Sequence, residues 1–175
     1  MIIGIAGTLG SGKGAAAEYL AKKHNFTYYS VRNFFAQEVL HRGKMVTREA
    51  IAQVADELRA QYGKTYAVEQ LLGSIVVGKK VVIESIRTKE EAKFLKEKGA
   101  LLWAVDADPQ VRYQRVLKRD ASVDNVSFEQ SIDKEMKEGV LTEVISMADV
   151  VLHNNGTKDE FFASIDSAMA KATQK

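Results

Sequence analysis

The chain has 175 residues, 46% of them hydrophobic and 27% charged, with no cysteine, one proline and a formal net charge of +2. That length suits a single core, the composition is that of a globular chain, and the absence of thiols excludes disulfides, cysteine-ligated zinc, iron–sulfur clusters and a cysteine nucleophile. Nearly balanced charge supplies no bulk field for nucleic acid or a membrane surface, so any anion site must be local.

In chain order, short apolar runs alternate with segments of helical period, the pattern of parallel βαβ units. Ile2–Ala6 is the first expected strand, followed by Phe26–Tyr29, Lys80–Glu84, Leu101–Val105 and Val150–His153. Their nearly continuous apolar character predicts burial on both faces, hence a three-layer α/β/α sandwich around a five-stranded parallel sheet. Helices are expected at Gly14–Lys23, Val31–Leu40, Thr47–Gly63 and Tyr66–Val77, the last three forming a small lobe over residues 31–78. Thr88-x-x-Glu91, Ser127-x-x-Gln130 and Thr157-x-x-Glu160 fit capping boxes, and Asp108-Pro109 offers an N-cap followed by a proline at the first helical position. Residues 120–139 are polar and read as a flap, within one domain spanning 1–175. The first residues lack the basic leader of a secretory signal and no segment holds ~18 consecutive apolar residues, so a cytoplasmic location without a membrane span is expected.

Gly7-Thr8-Leu9-Gly10-Ser11-Gly12-Lys13 follows the first strand directly and opens a helix. Glycines at 7, 10 and 12 let successive N–H groups curl around a phosphate, the helix N-terminus adds partial positive charge, and Lys13 reaches the β/γ bridge. This G-x-x-x-x-G-K pattern in strand–loop–helix context predicts a nucleotide triphosphate site formed by Gly7, Leu9, Gly10, Ser11, Gly12, Lys13, Gly14 and Ala15. The usual Ser or Thr after the lysine is Gly14 here, so a metal ion would be held by phosphate oxygens and water, with Glu84 at the end of the third strand as a water-mediated partner.

Gly7-x-x-Gly10-x-Gly12-Lys13-Gly14 resembles the P-loop of adenylate kinases, with Ala15 where that family usually has Thr. Tyr29-Ser30-Val31-Arg32-Asn33-Phe34 is similar to the segment after the second strand of nucleoside monophosphate kinases, with Asn33 replacing an acidic residue. The resemblance continues at Arg87 and at Arg115-x-x-x-Arg119. Ala148–Thr157 is also similar to the end of dephospho-coenzyme A kinases, and Gly139-Val140-Leu141-x-x-Val144-Ile145-x-x-Ala148-Asp149 to archaeal adenylate-kinase-related proteins. The chain thus resembles P-loop nucleotide kinases, which implies ATP and Mg²⁺ as donor and cofactor and nucleotide substrates as partners. By that resemblance Lys13 and Asn155 contact the donor, Ser30, Asn33, Arg59 and Arg87 contact the acceptor, and Arg115 with Arg119 close over the transferring phosphoryl group.

Within this class the expected acceptor is a nucleoside monophosphate, with dephospho-coenzyme A as the alternative. A different class stays open: a slow ATPase acting as a nucleotide-dependent switch or assembly factor, to which the missing P-loop hydroxyl and Asn33 both point. The three histidines, His24, His41 and His153, are scattered without metal-ligand spacing, so no zinc site is expected.

Overall fold

Five parallel strands carry the fold: β1 (Ile2–Gly7), β2 (Thr27–Ser30), β3 (Val81–Ile86), β4 (Leu101–Asp106) and β5 (Val150–His153), in the order β2-β3-β1-β4-β5. The computed structural model describes residues 1–76, 78–119, 128–130 and 140–174. Most of the expected flap, 120–127 and 131–139, lies outside the described residues, as does Ser127 of the second expected capping box.

The helices are α1 (Lys13–His24), α2 (Val31–His41), α3 (Arg48–Tyr62), α4 (Tyr66–Gly73), α5 (Lys89–Glu97), α6 (Pro109–Arg119), α7 (Val140–Ser146) and α8 (Lys158–Thr173). The period-2 alternation of the strands sends neighbouring side chains to opposite layers. Ile3, Ile5, Val82, Trp103 and Val105 pack beneath Ala16, Ala17 and Leu20 of α1 and Phe161 and Ile165 of α8. Ala6, Val81, Ile83, Ile86 and Leu102 face the other way, against α2 to α5 and Val144 of α7. Covered on both sides, β3 is buried along its whole length, whereas the edge strands β2 and β5 keep exposed positions. Full burial of all five strands, as the apolar runs predicted, holds only for β3; β1 and β4 are buried except at their partly exposed ends Ile2, Leu101 and Asp106.

Local chemistry sets the helix ends. Thr88 and Thr157 accept from the N–H groups of Glu91 and Glu160, whose carboxylates return to the cap backbone, completing both capping boxes. Gly63 at φ +102 closes α3 with its N–H on the Arg59 carbonyl. The fourth helix stops at Gly73, shorter than its apolar pattern predicted, because Ser74 donates from both N–H and Oγ to the Leu71 carbonyl and turns the chain. The three helices between β2 and β3 pack on one another and directly over β3, sharing the core of Val54, Leu58 and Val68 with Ile83 and Ile86.

Candidate active site

The parallel sheet gathers the carboxyl ends of its strands on one side, where open α/β sheets bind ligands. β1 delivers its chain to that edge and the loop returns into α1. Gly10 (φ +80) and Gly12 (φ +103) occupy the left-handed region that other residues avoid. Both are also sterically required: a Cβ on Gly10 would stand 2.6 Å from the Arg112 carbonyl oxygen, and one on Gly12 would stand 2.3 Å from Asn154 Nδ2. The loop is therefore clasped between α6 and the residue that follows β5.

Within it, Ser11 N–H donates to the Thr8 carbonyl at 3.2 Å and Lys13 Nζ to the same oxygen at 3.3 Å. The hydroxyls of Thr8 and Ser11 are buried with no hydrogen-bond partner among the described residues. Buried hydroxyls are ordinarily satisfied, so this pair, beside the α1 N-terminus and the Lys13 ammonium, is a donor set that fits phosphate oxygens. The open surroundings of Gly14 and the exposed Ala15 leave the entry to α1 clear. For Mg²⁺ the fit is of a different kind. Among the described residues no three metal-ligating side chains cluster, and Gly14 has no hydroxyl, so the ion would arrive with the nucleotide phosphates.

Glu84 is buried on β3, one strand from the loop, in register with Ile5 of β1 and Ser30 of β2. Ser30 Oγ donates to Glu84 Oε1 at 2.5 Å and Ser85 Oγ to Oε2 at 2.7 Å. Burial, and then the Glu84 charge, pushes the Tyr28 hydroxyl above its ordinary value. Glu84 does not end the strand as its sequence suggested. Ser85 adopts φ +67, the β1 pairing slips from Ile5–Glu84 to Ala6–Ile86, and the strand runs on two residues as a bulge.

Ser30 also caps α2 by accepting from Asn33 N–H at 3.2 Å, which leaves the Asn33 side chain exposed on the first turn. Arg87 is exposed just beyond β3, and its backbone N–H donates to Glu91 Oε2 at 2.9 Å. Arg59, expected on the acceptor, is engaged elsewhere. Its Nη2 donates to Glu91 Oε1 at 2.9 Å and its guanidinium covers the Phe35 ring at 5.0 Å.

The two arginines expected to close over the phosphoryl group lie apart in environment. Arg119 is exposed at the end of α6, while Arg115 is partly buried and donates from Nη1 to the Asn154 carbonyl at 2.8 Å and from Nη2 to Asn154 Oδ1 at 3.2 Å. Asn155 turns its Oδ1 to the Asp108 N–H at 2.7 Å and so fixes the start of α6. Asn154, to which the sequence alone assigns no role, hydrogen-bonds the phosphate loop, donating from Nδ2 to the Ser11 carbonyl at 2.8 Å. The available signal was its place as the first residue past β5 on the ligand side of the sheet.

A family profile described as an AAA domain matches residues 3–143, and a UPF0200 protein of Methanococcus vannielii is 32% identical over 177 residues, covering 97% of this chain and 95% of its own. The chain belongs to the AAA-domain family, among the UPF0200 proteins. Among solved structures, shikimate kinase from Acinetobacter baumannii in complex with shikimate superposes with a TM-score of 0.67 at 16% identity, covering 99% of this chain and 95% of the other. A gluconokinase from Sinorhizobium meliloti gives a TM-score of 0.61 at 14% identity over 98% of this chain and 93% of the other. This UPF0200 chain therefore has the fold of these P-loop kinases. No described helix is long and apolar enough to cross a membrane.

Proposed function

We propose that this UPF0200 protein is an ATP-dependent phosphotransferase that moves the γ-phosphoryl group to a nucleoside monophosphate, with dephospho-coenzyme A as the second acceptor to be tried. The observation that carries the reading is the loop itself: two buried, unsatisfied hydroxyls and the Lys13 ammonium around a helix N-terminus, at the ligand edge of a kinase sheet. Phosphoryl transfer asks mainly for positioned cations, because charge moves while little covalent work falls to the protein. Gly7 to Ala15 would hold the donor phosphates, Arg115 and Arg119 would neutralise the group in flight, and Arg87 would hold the acceptor phosphate. Guanidinium suits those tasks because it stays charged and binds phosphate oxygens in pairs. Mg²⁺, when bound with ATP, would offset charge on the donor phosphates, and Glu84 is the carboxylate suited to orient its water.

A second reading, a slow ATPase that signals to a protein or RNA partner, draws on two features: Arg59 is committed to Glu91, and Asn33 offers an amide where a proton acceptor would be needed. Purified protein incubated with ATP and Mg²⁺ against AMP, CMP, their deoxy forms, UMP, GMP and dephospho-coenzyme A separates the two. Acceptor-dependent ADP release, abolished in Lys13→Ala, is the expected result. Intact ATP binding with no acceptor turned over overturns the kinase reading in favour of the switch.

A further inference from the structure

We propose that Asn154 is the positioning residue of the phosphate site, joining the geometry of the loop to that of Arg115 through its side-chain amide and its backbone carbonyl. The inference rests on the kinase reading above and deepens it. Asn154 is only 6% exposed and all of its polar groups are in use. Its N–H donates to the Asp106 carbonyl at 2.8 Å, anchoring it to the end of β4. Its amide nitrogen holds the Ser11 carbonyl at 2.8 Å, while its two oxygens receive both terminal nitrogens of Arg115 at 2.8 and 3.2 Å.

Two consequences follow from this geometry. First, pinning the Ser11 carbonyl orients the peptide between Ser11 and Gly12, whose N–H belongs to the run of donors that a phosphate meets. Gly12 must lack a Cβ because Asn154 Nδ2 fills that space, so the loop and the amide are shaped to each other. Second, Arg115 is held by hydrogen bonds to neutral oxygens rather than by a carboxylate. A guanidinium so held is pre-placed beside the loop yet keeps its full charge for a phosphate. An aspartate in the same place would neutralise it and repel the Ser11 carbonyl. A side-chain amide is the group that can donate to a carbonyl and accept from a guanidinium at once.

The test compares Asn154→Asp, which keeps a side-chain acceptor for Arg115 but makes it charged and loses the donor to Ser11, with Asn154→Ala, which loses the donor and the side-chain acceptor and leaves Arg115 the backbone carbonyl alone. ADP binding is titrated by calorimetry without metal or acceptor, and steady-state kinetics are taken with the best acceptor of the assay above. Both variants are expected to bind ADP roughly tenfold more weakly, the cost of one unsatisfied buried carbonyl. Asn154→Asp should raise KM for ATP and lower kcat as well, because its carboxylate neutralises Arg115, whereas Asn154→Ala, in which Arg115 keeps its charge and its bond to the backbone carbonyl of residue 154, should mainly raise KM. Thermal unfolding of the ligand-free proteins checks that each is folded, and the near-isosteric Asp variant serves if the Ala variant is not. ADP affinity within twofold of wild type in a folded variant overturns the inference alone, and so does an equal KM-against-kcat effect in both. A wild-type protein that binds no ADP overturns the kinase reading and this inference with it.

Discussion

Arg59 and Glu91 form an ion pair of 2.9 Å in which the carboxylate is wholly buried and the arginine side chain partly so. Glu91 also receives the backbone N–H groups of Arg87 and Thr88 at 2.9 and 3.1 Å, so one carboxylate fastens α3, the start of α5 and the turn carrying Arg87. Removing one partner of a buried pair strands the other charge, which costs more than the pair contributes. Glu91→Ala is expected to lower stability by about 3–5 kcal/mol, and Glu91→Gln by less, since the amide oxygen still accepts from the backbone. Urea unfolding of the two variants checks this. A loss of under about 1 kcal/mol for Glu91→Ala, the level of an exposed pair, would show that α3 is held by its apolar face alone.

Ser85 sits at φ +67 with its hydroxyl on Glu84 Oε2. A β-substituted residue in that region is strained by ~1 kcal/mol, and glycine is not. Ser85→Ala keeps the strain and loses the hydrogen bond, whereas Ser85→Gly loses the bond and relieves the strain. Ser85→Gly should therefore be the more stable of the two by about 1 kcal/mol in thermal or urea unfolding. The reverse order would mean that the bulge is held without strain.

The strands and the phosphate loop were legible in the sequence because their signals are local: apolar runs between turns, and glycines at fixed offsets from Lys13. Capping residues such as Thr88 and Thr157 were legible for the same reason. Ser85 was not, since nothing in Glu84-Ser85-Ile86 marks a residue other than glycine as left-handed. The contacts of Arg59 and Asn154 were hidden too, for they depend on partners 32 and 143 positions away. The neighbouring Asn155 drew the eye, but strand β5 ends so that Asn154 turns to the loop and Asn155 to α6. Spacing alone does not say which of two adjacent amides faces inward.

Gly12 and Gly14 bracket Lys13 and should respond oppositely to a side chain. At Gly12 a Cβ meets Asn154 Nδ2 at 2.3 Å in a left-handed backbone, while at Gly14 a Cβ meets nothing within 4 Å. Gly12→Ala is expected to abolish measurable ADP binding. Gly14→Ser is expected to fold at least as well as wild type, since serine gains about 0.5 kcal/mol over glycine in a helix. Its hydroxyl would stand where P-loops place their metal ligand, so the Mg²⁺-dependent part of ATP affinity should rise. Titration of ATP with and without Mg²⁺ reads both, and an unchanged Mg²⁺ dependence would place the ion elsewhere.

At the far end of α1, His24 Nε2 lies 2.7 Å from Asp166 Oδ1, and the Tyr19 hydroxyl donates to Oδ2 at 2.9 Å. These contacts join α1 to α8, with Tyr19 stacked on Phe162 at 4.0 Å. The His24 and Tyr19 hydrogen bonds, aided by the charges of His24 and Lys23, hold the Asp166 carboxyl below its usual range. A carboxyl depressed on folding stabilises the fold fully above its unfolded value near 4, and that contribution disappears as pH falls through the folded value. Asp166→Asn should accordingly unfold a few degrees below wild type at neutral pH, about 3 °C at most for so exposed a pair. The gap should close in acid, as pH falls through the depressed folded value and wild-type Asp166 is protonated too. Melting curves of both proteins from pH 7 downward decide the matter. A gap that persists undiminished into acid would show that the aspartate acts through packing and not through its charge.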